Sequence, residues 1–192
     1  YDAGGRMTNK WLLNGVNTAY SYNNDDTLAS IANNHGVMPV SSHTYTYNVL
    51  GNRDTLAETV AGSTINYTYA YDELNRLTQV DNGTPAELEN YTYDPLNNRL
   101  SRAVGATQTH YLYDATNQLQ EIRDGSTGGS LLADLSYDLN GNLIGRTDTN
   151  ASFIYDARDQ LVQVNEPGEL SQFYHYDDRG RRIRKTIGTL AT

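Results

Sequence analysis

Nine times along the 192-residue chain a tyrosine is followed at once by aspartate or asparagine, at Tyr1, Tyr22, Tyr47, Tyr71, Tyr93, Tyr113, Tyr137, Tyr155 and Tyr176. Such a series of carboxylates and amides could serve as an array for calcium. Asp138-Leu139-Asn140-Gly141-Asn142 begins as a calcium-binding EF-hand loop does. Its sixth position, however, is Leu143 where such a loop needs glycine, and its twelfth is Thr149 where it needs glutamate. Capping of a turn by the Asp or Asn side chain accounts for every copy. The histidines, His35, His43, His110 and His175, show no metal-ligand spacing, and no serine sits in a nucleophile elbow. There is no P-loop or dinucleotide fingerprint, and the chain has no cysteine, which removes disulfides, zinc–thiolate sites and a cysteine nucleophile. The expectation is a protein that is not an enzyme and carries no cofactor or metal.

Charge and composition narrow the partners. A formal net charge of −9 argues against nucleic acid as the main partner, because phosphate contacts need clustered Lys and Arg. The one basic cluster, Arg179, Arg181, Arg182, Arg184 and Lys185, reads as a solvated or lumen-facing strand opposed to the acidic remainder. No apolar run approaches the ~20 residues that a membrane-spanning helix needs. Aliphatic residues are scarce but there are 16 tyrosines, so a core here must be aromatic and hydrogen-bonded.

The elements that position these residues follow from the repeat. Its copies read YDELNRLTQV from Tyr71, YDATNQLQEI from Tyr113 and YDARDQLVQV from Tyr155. A leucine recurs six residues after the tyrosine (Leu28, Leu77, Leu119, Leu143, Leu161); the copy at Tyr93 reads as carrying one extra residue, which moves its leucine to Leu100, and the copy at Tyr47 has Arg53 there. Tyr67-Thr68-Tyr69-Ala70-Tyr71 and Phe153-Ile154-Tyr155 alternate with the period of a strand, whose residues two apart share a face. The aspartate then opens a turn rich in Asn and Gly, and a second strand follows. The chain is therefore expected to be all-β: nine hairpins, about eighteen strands, in one long antiparallel sheet that twist curls into a spiral, partial shell or tube. Tyrosines of successive copies are expected to stack in a ladder. Leu161 and Val164, an odd number of positions apart, predict apolar residues on both faces, and residues 23–46 read as a longer loop.

This pattern resembles the RHS or YD-repeat family, which includes Rhs polymorphic toxins, wall-associated proteins, the C subunits of insecticidal Tc toxins and teneurins. The resemblance covers Tyr1 to about Ile187, and residues 1–192 are taken as a single repeat region belonging to a longer protein. It implies a β-strip that spirals into a hollow shell, which in the toxins encloses a C-terminal effector domain. The family's self-cleaving core segment has no counterpart here, since Asp177-Asp178-Arg179-Gly180 is another repeat turn, and self-cleavage is not carried over. The residues assigned to the structural motif are Tyr71, Asp72, Tyr93, Asp94, Tyr113, Asp114, Tyr137, Asp138, Tyr155, Asp156, Tyr176 and Asp177. The expected partners are further YD repeats of this or another chain, with an enclosed toxin domain or surface glycans beyond them, in an extracellular or cell-surface setting. Two rival readings stay open: a filament or tube built through open strand edges, and a glycan-binding adhesin module in which exposed rings such as Trp11 stack on sugars.

Overall fold

The computed structural model describes residues 1–188. They form seventeen β-strands, no helix, and hence no helix long and apolar enough to cross a membrane. The count falls one short of eighteen because the copy at Tyr1 has only its second strand.

Two compact units divide the chain: residues 1–92 with 102–106, and residues 93–101 with the segment from 107 onward. The first contains β1 (Asn9–Trp11), β2 (Val16–Tyr22), β3 (Leu28–His35), β4 (Met38–Tyr47), β5 (Arg53–Val60), β6 (Ser63–Tyr71), β7 (Leu77–Asp81) and all but the last residue of β8 (Glu89–Tyr93). β9 (Arg99–Val104) is shared, its first three residues lying in the second unit and its last three in the first. The second unit continues with β10 (Thr107–Tyr113), β11 (Leu119–Asp124), β12 (Leu131–Tyr137), β13 (Leu143–Arg146), β14 (Ala151–Tyr155), β15 (Leu161–Asn165), β16 (Gln172–Tyr176) and β17 (Arg182–Ile187). Within each unit every strand pairs antiparallel with its neighbours in sequence, from β1 to β8 and from β10 to β17.

Residues 23–46 are not a loop. They hold the Tyr22 turn and then the β3–β4 hairpin, whose two-residue connection places Gly36 at φ 61°, the position where a II′-type loop needs positive φ. The asparagines that read as loop residues are strand residues bonded across strands: Thr18 donates to Asn33 Oδ1 at 2.8 Å, and Asn33 donates to Ser41 Oγ at 3.0 Å.

The two faces also differ from the alternation rule. Tyr155 lies opposite Leu161, and Phe153 lies opposite Val164, because a one-residue bulge interrupts the register between them. The same slip sets Tyr71 against Leu77 and Tyr69 against Val80, and sets Tyr113 against Leu119 and Tyr111 against Ile122. Directly opposed residues share a face, and the bulge takes up the odd residue. Leu161 and Val164 are thus on one side, together with the tyrosines. Burial follows: in β14 Ala151, Phe153 and Tyr155 are buried or half-buried while Ser152 and Ile154 are exposed. In these three hairpins the paired apolar residues of the second strand therefore share one face, where alternation had predicted two. Even there burial is shallow; among the described residues the buried apolar side chains are Ala133, Ala151 and Val164, and no large side chain is fully buried.

Candidate functional site

The repeated turn gathers several hydrogen bonds around one Asp or Asn side chain. In the Tyr71 copy the Asn75 N–H donates to Asp72 O at 3.0 Å, and the Asp72 N–H donates to Arg76 O at 3.0 Å. This is the three-residue hairpin connection that needs its last loop residue in the left-handed region. The residue four after the tyrosine has positive φ in all nine copies: Gly5, Asp26, Gly51, Asn75, Asn97, Asn117, Gly141, Asp159 and Gly180. Glycine, asparagine and aspartate are the residues that tolerate that conformation, which explains what the sequence places there.

The aspartate side chain completes the turn. Asp72 Oδ1 accepts the backbone N–H of Leu74 (3.0 Å) and of Arg76 (2.9 Å), while Oδ2 accepts Arg76 Nε at 2.7 Å. Asp94, Asp114, Asp138, Asp156 and Asp177 accept the same pair of backbone N–H groups. Asn48 does so in the Tyr47 copy. The Tyr22 copy departs, with Asp25 rather than Asn23 accepting from Thr27. The bond from the backbone of Arg76, Gln118 or Arg181 holds the carboxyl of Asp72, Asp114 or Asp177 below its usual range, and the Asn142 side chain does the same for Asp138. A carboxylate so saturated with donors is a cap.

The tyrosines carry the link from one copy to the next. Tyr47 donates its hydroxyl to Leu28 O at 2.9 Å, Tyr71 to Arg53 O at 2.8 Å, Tyr113 to Arg99 O at 3.1 Å, Tyr137 to Leu119 O at 2.9 Å and Tyr176 to Leu161 O at 2.9 Å. The acceptor is always the backbone carbonyl six residues after the tyrosine of the preceding copy. The ladder between these copies is therefore hydroxyl-to-carbonyl, where ring-on-ring stacking was expected. The signal in the sequence was the preference itself: 16 tyrosines against two phenylalanines. Burial pushes the phenols of Tyr45, Tyr71, Tyr91, Tyr113, Tyr137 and Tyr155 above their ordinary range.

This bonding also corrects the alignment of the Tyr93 copy, which has no extra residue. Asn97 is its left-handed residue, as Asn75 is in the Tyr71 copy, and Arg99 offers the carbonyl that Leu119 offers one copy later. Arg99 stands at the leucine position, and Leu100 is exposed at 40%. The arginine fits because its guanidinium lies over the Tyr111 ring, 4.5 Å from the centroid. Arg53 lies likewise over Tyr45 at 4.7 Å, and Arg182 over Tyr174 at 5.3 Å. A flat cation on an aromatic face covers a ring much as leucine does, and adds attraction to its π-cloud.

A second set of bonds joins successive turns. Asn52 donates to Asn75 Oδ1 at 3.1 Å, Asn142 donates to Asp159 Oδ1 at 2.8 Å, and Asn98 donates to Asn117 Oδ1. The histidines are dispersed: His43 Nε2 is 3.1 Å from Glu58 Oε1, His35 Nε2 is 3.1 Å from Asn14 O, and His175 Nε2 is 3.0 Å from Arg184. Among the described residues no three His, Asp or Glu gather as metal ligands would. A recess in the first unit, open to solvent, is lined by Tyr67, Val80, Asn82, Glu87, Glu89 and Val104; Glu89 there is paired with Arg102 at 3.0 Å.

Comparison with known proteins agrees with this geometry. The tRNA nuclease WapA of Bacillus subtilis (strain 168) is 34% identical over 130 residues, covering 64% of this chain and 5% of WapA. The tRNA3(Ser)-specific nuclease WapA of Bacillus spizizenii is 34% identical over 125 residues, covering 61% of this chain and 5% of that protein. The chain thus spans about a twentieth of the length of these relatives. Among solved structures, the Photorhabdus luminescens Tc holotoxin pore matches 100% of this chain and 13% of its own with a TM-score of 0.55 at 14% identity. The TcdB2–TccC3–Cdc42 crystal structure matches 96% of this chain and 13% of its own, with a TM-score of 0.54 at 14% identity. These two likenesses are of fold. The family profile described as Teneurin YD-shell matches residues 14–191, and the chain belongs to that family of YD-repeat β-shell proteins.

Proposed function

We propose that this chain is a stretch of structural wall in a larger hollow β-shell, that the shell surrounds a toxin domain, and that no residue of the stretch performs chemistry. The observation that carries the reading is the tyrosine hydroxyl bonded to a carbonyl of the preceding copy, because it commits the repeat's own polar side chain to joining one copy to the next. Tyr71, Tyr93, Tyr113, Tyr137, Tyr155 and Tyr176, with Asp72, Asp94, Asp114, Asp138, Asp156 and Asp177, are in this reading the structural motif of the wall. The nuclease activity named for the WapA relatives belongs, on this view, outside the twentieth of their length that the chain matches. The nuclease named for those relatives and the toxin named for the Tc structures support a toxin as cargo, and an extracellular or cell-surface setting goes with that reading.

Negative-stain electron microscopy of the purified protein at native pH tests this. Closed hollow particles, or arcs of one wall's thickness, are the expected result. Continuous filaments or tubes would replace it with a structural polymer joined through strand edges, and saturable glycan binding by small isolated particles would replace it with an adhesin module.

A further inference from the structure

The end of the first unit opposite the Tyr-Asp turns carries a group of apolar side chains that the wall reading leaves unused. The β1–β2 tip presents Trp11 at the end of β1 (74% exposed) with Leu12 (43%) and Leu13 (110%), and the β3–β4 tip presents Val37 (98%) with Met38 (68%) and Val40 (46%) at the start of β4. The two tips lie side by side: Val16 pairs with His35, Gly36 N–H donates to Gly15 O at 3.4 Å, and His35 Nε2 meets Asn14 O at 3.1 Å. Exposed apolar clusters of this kind mark interaction sites.

We propose that this paired tip inserts into the interfacial layer of a phospholipid bilayer, anchoring the wall without spanning the membrane. Three observations favour lipid over a protein groove. Leu13 (110% exposed) and Val37 (98%) stand clear of their own strands, as side chains that enter a fluid phase do. Residues 9–17 and 34–41 contain no Asp or Glu in a chain of net charge −9, and they include Lys10, which suits a headgroup phosphate, and the only tryptophan, the residue that prefers the membrane–water boundary. Backbone groups of the tip are also engaged internally, with Leu12 N–H on Val16 O (2.8 Å), Gly15 N–H on Leu12 O (3.1 Å) and Val16 N–H on Asn14 Oδ1 (3.2 Å). Each such internal bond lowers the cost of bringing this backbone to the membrane–water boundary.

Because Trp11 is the sole tryptophan, its fluorescence reports the site directly. The full chain is titrated with phosphatidylcholine vesicles, with and without phosphatidylglycerol, and with vesicles brominated in their acyl chains. The expected result is a blue shift with quenching by the brominated lipid. Binding should persist at high salt, since the contact is apolar, and should not improve with anionic lipid, which the net negative charge opposes. Leu13→Asp with Val37→Asp should weaken partitioning roughly tenfold or more, while far-UV circular dichroism stays unchanged because both side chains are free of packing. An unshifted spectrum at saturating lipid overturns the proposal. So does a blue shift that depends on protein concentration without lipid, which would assign the tip to a second copy, or binding abolished by salt, which would assign it to Lys10 alone.

Discussion

Removing single parts of the tyrosine ladder measures what holds one copy to the next. Tyr137 on β12 donates to Leu119 O on β11 at 2.9 Å. Tyr137→Phe deletes that bond and keeps the ring, and a neutral hydrogen bond of this kind contributes about 1 kcal/mol net. Tyr137→Ala also removes a half-buried ring; taking roughly 100 Å² of apolar area at ~25 cal/mol per Å² gives ~2.5 kcal/mol more, for a total near 3.5 kcal/mol. Ser136→Ala, its exposed neighbour on the other face of β12, serves as the control and should stay within about 0.5 kcal/mol. Native-state hydrogen exchange at the paired amides of β11 and β12 is the assay, since an array of repeats can open in parts and a local readout isolates this pair. If Phe at position 137 matches wild type while Ala costs less than about 1 kcal/mol, the ladder does not hold the copies together and the reasoning fails.

Other outcomes follow from the same geometry. Arg53→Lys should cost about 0.5–1 kcal/mol in denaturant titration, because Lys cannot lie flat between Tyr45 and Tyr69, whose centroids are 4.7 and 5.8 Å from the guanidinium. Gly105→Ala should cost about 2–3 kcal/mol, since a Cβ there would sit 2.6 Å from Ala86 O on a backbone with φ +54°. The lowered carboxyls of Asp2, Asp72, Asp114, Asp138 and Asp177 bind fewer protons folded than unfolded. Their stabilisation is present above about pH 4 and lost as pH falls below it. The raised phenols of Tyr71, Tyr113, Tyr137 and Tyr155 act in the opposite sense, retaining protons when folded, so stability also declines above about pH 10. Thermal midpoints measured across pH should therefore form a plateau between those limits; a maximum at either extreme would contradict the assignment.

Much of this protein is legible before folding. The recurrence of Tyr-Asp, the alternation of Tyr67-Thr68-Tyr69-Ala70-Tyr71 and the Gly, Asn or Asp four residues after each repeat tyrosine together specify hairpins, since each reports a local preference of strand or turn. Local chemistry also explains why Asp72 caps its turn. Which face Val164 occupies was not legible, because strict alternation puts it opposite Leu161 and only the bulge, a property of two strands in register, returns it to the tyrosine side. Arg99 illustrates the same limit. Read along the chain it looks like an insertion before Leu100; paired against Tyr111, it is a cation standing where other copies have leucine. The tyrosine hydroxyls complete the division. Sequence alone required a hydrogen-bonded aromatic core, but the acceptors are carbonyls on the preceding copy, 14 to 19 residues away. Such partners exist only once the strands lie side by side, so the tertiary structure decided them.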